Sequence, residues 1–259
     1  MQNLFDYPAL VFMICFVALW LSARIGASLL RRFRKIDEDA RDDFSVIQAA
    51  TLTLLALIIG FTFSMAVGRY DQRKNYEEEE ANAIGTEYVR ADLLPAADAA
   101  TVRGLLKTYL DERVLFYTTR DADELAKVNA ETSRLQGVMW TAVKNAAAAQ
   151  PTPVAALAVA GMNDVLNTQG YTQAAWWNRI PVAAWVLMVL IAVCANVLVG
   201  YGARGLKAGA GLLLIVPLIV PRIVSLSFML VADIDSPRGG VIRVKPLNLH
   251  ALADSFRSH

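Results

Sequence analysis

Glu77, Glu78, Glu79 and Glu80 stand consecutively, with Arg73 and Lys74 four residues before the first two. Neighbouring carboxylates can act as general acid and base when a cleft holds their pKa values apart, and can draw ions when displayed together at a pore. Asp233 and Asp235 form a second acidic pair, just ahead of Ser236, Pro237, Arg238, Gly239 and Gly240, and Arg222 lies inside an apolar stretch. Other chemistry-bearing residues are sparse. The two histidines, His250 and His259, are both close to the C-terminus, and no HExxH, GxSxG, GxGxxG or GxxxxGK[ST] pattern occurs. Cys15 and Cys194 fall in apolar runs, where a small buried thiol is ordinary and neither a disulfide nor a metal spacing is suggested. Catalysis is therefore not expected, and neither is a cofactor or a metal.

The elements that must position these groups are helices. Of the 259 residues, 56% are hydrophobic and 19% charged, a balance for a multi-pass membrane protein. The formal net charge of +1, with Lys and Arg spread along the chain, offers no field for nucleic acid. Four stretches reach the roughly 20 apolar residues that a hydrocarbon core requires: Ala9 to Leu30, Phe44 to Val67, Ile180 to Val199 and Ala208 to Ala232. The first resembles a signal peptide only superficially. Its leader MQNLFDYP has no Lys or Arg, the run is too long, and RRFRK follows it, so it reads as a retained helix. The fourth contains Pro217 and Pro221 and reads as kinked or broken.

Between the second and third spans lies a polar region whose apolar residues recur at helical spacing, as in Leu105, Leu106, Tyr109, Leu110, Val114 and Leu115. Pro95, then Asp98 as a cap, Thr119 or Asp121 as another cap, and Pro151 with Pro153 punctuate it. The expected helices end near Leu94, then run over about 98–117, 121–149 and 153–170. The fold class is an all-α membrane protein with four transmembrane helices, two on each side of a helical extramembrane domain. In numbers, this gives a transmembrane hairpin over 1–67, an extramembrane domain over 68–179, a second hairpin over 180–232 and a tail over 233–259.

No proline occurs from Phe44 to Leu94, and Gly60, Gly68 and Gly85 are the only strong helix weakeners there. One helix of about 50 residues and about 75 Å, at 1.5 Å per residue, can therefore cross the membrane and continue beyond it. Arg73 with Glu77 and Lys74 with Glu78 can pair across a turn. Two readings of Glu77 to Glu80 stand side by side: a solvated helix face, or a ring of carboxylates at the mouth of an oligomeric pore that shapes the approach of ions.

The segments LLALIIGFTFSMAVGRYDQRKNYEEEEANAIGTEYVRADLLP, MNDVLNTQGYTQAAWWNRIP and VADIDSPRGGVIRV together resemble the bacterial bestrophin-like membrane proteins, a family distantly similar to bestrophin anion channels. The resemblance covers about 40 to 250. It implies a homopentamer in the bacterial inner (plasma) membrane, four membrane helices per subunit and a second helix lining a narrow apolar neck, with lipid and small inorganic ions as partners. The Gly-Phe pair that closes the family's neck is matched by Gly60 and Phe61. That places Leu57 and Thr53 on the same face and Met65 one turn on, with Thr53 departing from the apolar pattern. Packing against lipid or another helix is the competing role for these residues. The acidic tail of Asp233, Asp235, Pro237, Gly239 and Gly240 occupies the place where the animal members hold calcium nearby. Two carboxylates fall short of the six to eight oxygens calcium takes, and a turn with side chains bonding backbone amides is the alternative.

Arg222 either attracts anions, pairs with Asp233 or Asp235 if the chain bends back, or snorkels to the headgroups. Eight Lys and Arg residues flank the spans on the short-loop side, including Arg31, Arg32, Arg34 and Lys35, against seven on the other. Orientation is close to balanced by the positive-inside rule. Two functions follow: a bestrophin-like oligomeric channel, conducting anions such as chloride, or a non-conducting membrane scaffold or sensor whose helical domain binds a partner or ligand.

Overall fold

The structure is a computed structural model that describes residues 6–29, 38–203 and 210–258; of residues 29, 38–42 and 210–217 only the backbone is described. Arg31, Arg32, Arg34, Lys35, Arg204 and Lys207 lie outside it. Every regular element among the described residues is helical: α1 (Pro8–Leu29), α2 (Glu38–Arg90), α3 (Ala96–Thr118), α4 (Ala122–Ala149), α5 (Ala155–Trp177), α6 (Val182–Gly202), α7 (Ala210–Asp235) and α8 (Leu247–Arg257). Proline and Asp punctuation sets several boundaries. A 3-10 turn over Ala91–Leu93 ends ahead of Pro95, α3 follows at once, and the Asp121 carboxylate accepts the amides of Asp123 and Glu124 to cap α4. Asp98 is not a cap. It sits in the first turn of α3, where a negative charge suits the helix dipole.

Two expectations are corrected. The fourth span is not broken: α7 runs as one helix through Pro217 and Pro221, and a membrane-type helix tolerates such prolines where neighbours or local adjustment satisfy the freed carbonyls. Helix α5 does not stop near 170 but continues through Gly170 to Trp177. The C-terminal tail carries a further helix, α8, from Leu247 onward. Leu249, Ala253 and Phe256 recur there at helical spacing and are all buried.

The chain divides into two compact units, the first comprising 1–69 with 179–243 and the second 70–178 with 244–259. In the first unit α1 packs against α6 and α7. The α1–α6 contact is a mutual close approach of backbones. A Cβ on Gly26 would drive into the Val197 carbonyl, and one on Gly200 into that of Ala23, so only glycine fits at either crossing point. Among the described residues, three helical stretches are long and apolar enough to cross a membrane: Pro8–Ser28, Asp43–Leu93 and Ala155–Gly202, the last taking in α5 and α6.

The second unit is a helical bundle in which α3 packs on α4, α4 on α5 and α8 on α3. Its core includes Ile84, Val102, Leu106, Leu110, Phe116, Leu135, Met139, Val143, Ala158, Met162 and Val165. The buried stripe of α3 is Val102, Leu106, Tyr109, Leu110, Arg113, Phe116 and Tyr117, so a guanidinium lies in the middle of an otherwise apolar face.

Candidate functional site

Helix α2 is 53 residues long, about 80 Å at 1.5 Å per residue. Its side chains sort by angle, at about 100° per residue. Leu55, Thr62, Ala66, Arg73, Glu77, Glu80, Ile84 and Glu87 are all buried, and this periodicity puts them within an arc of about 80°. Thr53, Leu57, Phe61 and Met65 fall on the other side, and all four are exposed, Leu57 at 52%, Phe61 at 63% and Met65 at 43%. Gly60 faces the same open side, with no heavy atom within 4 Å of where a Cβ would stand. Thus the four residues matched to the neck share a solvent- or lipid-accessible stripe, and Leu55, Thr62 and Ala66 face into the first unit.

The glutamate run divides by the same periodicity. Glu78 and Glu79 are exposed, whereas Glu77 and Glu80 are buried. The solvated-face reading is corrected for these two, and neither offers free carboxylate oxygens to a ring. Residues three apart share a helix face, so a run of four necessarily sends its first and last members to the same side.

Glu80 is the centre of a buried ion pair. Its Oε1 accepts from Arg113 Nε, and its Oε2 accepts from Arg113 Nη2 at 3.4 Å, Tyr117 OH at 3.3 Å and Thr172 Oγ1 at 3.2 Å. Both side chains of the pair are fully buried. The Arg113 guanidinium also lies 4.3 Å from the Phe116 ring centroid. Burial alone would pull the Arg113 pKa down, but the Glu80 carboxylate and its hydrogen bond outweigh that and leave it raised. Burial, reinforced by the Glu80 charge, pushes the Tyr109 and Tyr117 hydroxyls up, so both stay protonated and Tyr117 can donate.

Glu77 caps another helix. Helix α8 starts after Pro246, which supplies no side-chain cap, and its first amides would be orphaned. Glu77 Oε1 accepts the amides of Asn248 at 2.9 Å and Leu249 at 3.0 Å, and Oε2 accepts Asn248 Nδ2 at 2.6 Å. At the opposite end of α8, Lys107 Nζ donates to the Phe256 carbonyl at 2.8 Å. Glu87 is also buried, and neither of its oxygens has a hydrogen-bond partner within the chain. Its carboxylate rests close to Gly161, so that a Cβ there would meet Glu87 Oε2 and the Arg90 side chain. Burial pushes its pKa up to about 8, with Arg90 pulling down and Asp164 adding to the rise.

In the first unit, the acidic tail is engaged by backbone and by arginine. Asp233 accepts the amides of Val241 at 2.8 Å and Ile242 at 2.9 Å, and Gly240 passes so close that a Cβ would meet that carboxylate. Asp235 accepts the Ile180 amide at 3.2 Å and lies 3.6 Å from Arg179 Nε. Ser236 donates to Asp6 at 3.1 Å and accepts the Gly239 amide at 3.0 Å. Arg179 Nη1 stands 2.8 Å from Asp6. Pro237 opens the turn. Oxygens committed to amides are poor candidates for a six- to eight-coordinate cation, and no cluster of three or more His, Cys, Asp or Glu suited to a metal occurs among the described residues. The same bonds leave neither aspartate for Arg222, which is exposed on α7 and makes no ion pair among the described residues.

Sequence reasoning missed Arg113, Tyr117, Thr172, Glu87, Asp6 and the capping role of Glu77. The signal for Arg113 was available, since it falls in step with Leu106, Tyr109 and Leu110, and an arginine in a buried stripe demands a carboxylate. Thr172 and Asp6 carry no such periodic signature.

No curated protein sequence matches the chain. Several solved structures do share its fold. A crystal structure of a bacterial bestrophin homologue from Klebsiella pneumoniae, phased on zinc, matches with a TM-score of 0.65 and 15% identity, over 94% of this chain and 95% of the other. A tryptophan-to-alanine variant of that homologue matches with a TM-score of 0.66 and 12% identity, over 95% and 94%. A family model described as a Bestrophin-like domain matches residues 11–249, and on that match, which spans nearly the whole chain, the protein belongs to the Bestrophin-like family.

Proposed function

We propose that the protein is an oligomeric ion channel in which α2 lines the pore, with Thr53, Leu57, Phe61 and Met65 as the neck and Gly60 beside Phe61. The observation that supports this most directly is the accessible stripe of these four residues on the apolar part of α2, whose other side buries Leu55, Thr62 and Ala66. A lone soluble bundle has no use for Phe61 at 63% exposure, whereas around an oligomer axis the same side chains converge on an apolar constriction, which gates by dewetting without binding the ion.

Residues 1–67 and 180–232 then form the two membrane hairpins of a multi-pass inner-membrane protein, with 68–179 outside the bilayer. Family resemblance supports a homopentamer. Of the four glutamates only Glu78 and Glu79 remain available to a charge ring. The permeant ions we assign are anions such as chloride, supported by the family resemblance and by Arg222, an exposed guanidinium within the apolar α7.

Reconstitution of purified protein in liposomes with an ion-flux assay tests the reading. Wild type should pass anions, and Phe61→Ala and Leu57→Ala should change the flux or its gating. Silent wild-type liposomes and inert variants would favour a membrane scaffold or sensor instead. A single-particle image showing a monomer or dimer would also remove the pore.

A further inference from the structure

The ends of three apolar helices are tied together by charge in the first unit. Asp6 precedes α1, Arg179 precedes α6 and Asp235 closes α7, and the Arg179 guanidinium bridges the two carboxylates. Such a cluster marks the level at which these helices leave hydrocarbon. The segment 236–243 departs from that level and is pinned to it. Ser236 is bonded to Asp6, Gly239 lies against the Asp6 carbonyl with no room for a Cβ, and Asp233 accepts the Val241 and Ile242 amides. The pinning sends apolar side chains outward: Val241 is 88% exposed and Ile242 is exposed beside it. Arg238 and Arg243 flank the pair, and the buried Nε of Arg243 has no partner within the chain.

We propose that the 236–243 segment is a membrane-interface anchor, in which Val241 and Ile242 enter the boundary between headgroups and acyl chains and Arg243 binds the phosphate of an anionic phospholipid. This rests on the membrane-spanning reading of α1, α6 and α7. The chemistry fits a lipid surface. A fully exposed valine held rigid by a buried aspartate loses hydration without any ordering cost when it meets acyl chains, and a guanidinium can give two parallel hydrogen bonds to phosphate. Aspartate and glutamate are absent from 236–243, so nothing in the segment repels an anionic headgroup.

The test uses full-length protein in nanodiscs of equimolar phosphatidylcholine and phosphatidylglycerol, on a background with Cys15→Ala and Cys194→Ala. A spin label is placed at Val241→Cys, and separately at Met13→Cys, on an exposed position of α1. Collision rates with oxygen and with a water-soluble nickel reagent are measured for each. Both labels should favour oxygen several-fold over an aqueous control, Met13→Cys more strongly. With Arg243→Gln, the Val241→Cys label should sit at the same depth with and without phosphatidylglycerol, whereas with Arg243 present it should lie deeper in the anionic discs. If Val241→Cys collides as in water while Met13→Cys is in hydrocarbon, the anchor is refuted and the spans stand. If both collide as in water, the spans fail and the anchor with them. Protection of Val241→Cys from both reagents makes the segment a contact between protein copies, which also overturns the proposal.

Discussion

Replacing either member of the Glu80–Arg113 pair should destabilise the second unit by amounts that differ in a defined direction. Removing one partner of a buried, hydrogen-bonded pair costs about 3–5 kcal/mol, and both side chains here are completely buried. Glu80→Leu strands a guanidinium that cannot lose its proton, whose Nη1 already has no partner within the chain. Its cost should fall at the upper end, about 5 kcal/mol. Arg113→Met leaves Glu80 with the Tyr117 and Thr172 hydroxyls at 3.3 and 3.2 Å still donating to it. That cost should fall at the lower end, about 3 kcal/mol. The double variant should recover part of the loss because neither charge of the pair is left without the other. The assay is thermal unfolding in detergent followed by near-ultraviolet circular dichroism, to which Trp176 contributes from its edge-on contacts with Phe116 at 4.9 Å and Tyr117 at 5.3 Å. At about 2–4 °C per kcal/mol, Glu80→Leu should lower the midpoint by roughly 10–20 °C. Midpoints unchanged in both single variants, or equal losses in the two, would refute the reasoning.

Three further outcomes follow from other contacts. Gly26→Leu and Gly200→Leu should each separate α1 from α6 and cost about 1–3 kcal/mol or more, read as a lower melting midpoint in detergent; an unaltered midpoint would mean the two backbones are not in close contact. Glu77→Ala removes the acceptor for the Asn248 and Leu249 amides, so hydrogen exchange at the start of α8 should quicken, equivalent to about 1–3 kcal/mol of local protection, while α4 should exchange as before. Glu87 holds its proton up to about 8 when folded, against an ordinary value of 4.5. Between those values the folded chain binds a proton that the unfolded chain has released, so stability should fall as pH rises across that window, by up to about 1.4 kcal/mol per pH unit. Glu87→Gln should flatten that slope, and an unchanged slope would assign it to another group.

What the sequence made legible was carried by punctuation and period. Pro95, Asp121 and the Pro151–Pro153 pair lie just before α3, α4 and α5, because proline lacks an amide donor and Asp can supply a cap. The long α2 was readable from the absence of proline between Phe44 and Leu94, a stretch where Gly60 and Gly68 cost propensity without breaking hydrogen bonds. Helix α8 was missed for lack of any cap of its own in sequence: its cap is Glu77, 171 residues away from Asn248. Partners at that separation leave no periodic trace, and the same holds for Thr172 on Glu80 and Ser236 on Asp6.

The tetraglutamate run shows why residue type was a poorer guide than angle. Four identical side chains on one turn of helix cannot all face one way, so no single role can belong to all of them. Charge alone suggested that all four faced water, because a buried carboxylate is costly. The cost is met separately at each buried position, by Arg113 with two hydroxyls at Glu80 and by orphan amides of α8 at Glu77. Neither compensation is visible within the run. The buried residues of α2 include Leu55, Thr62 and Ala66 in the first unit and Arg73, Glu77, Glu80 and Glu87 in the second; what differs is the chemistry of the partners. An apolar face suffices where the helix packs against apolar α-helices, and a charged one is stable only where arginine, hydroxyls and uncapped amides meet it.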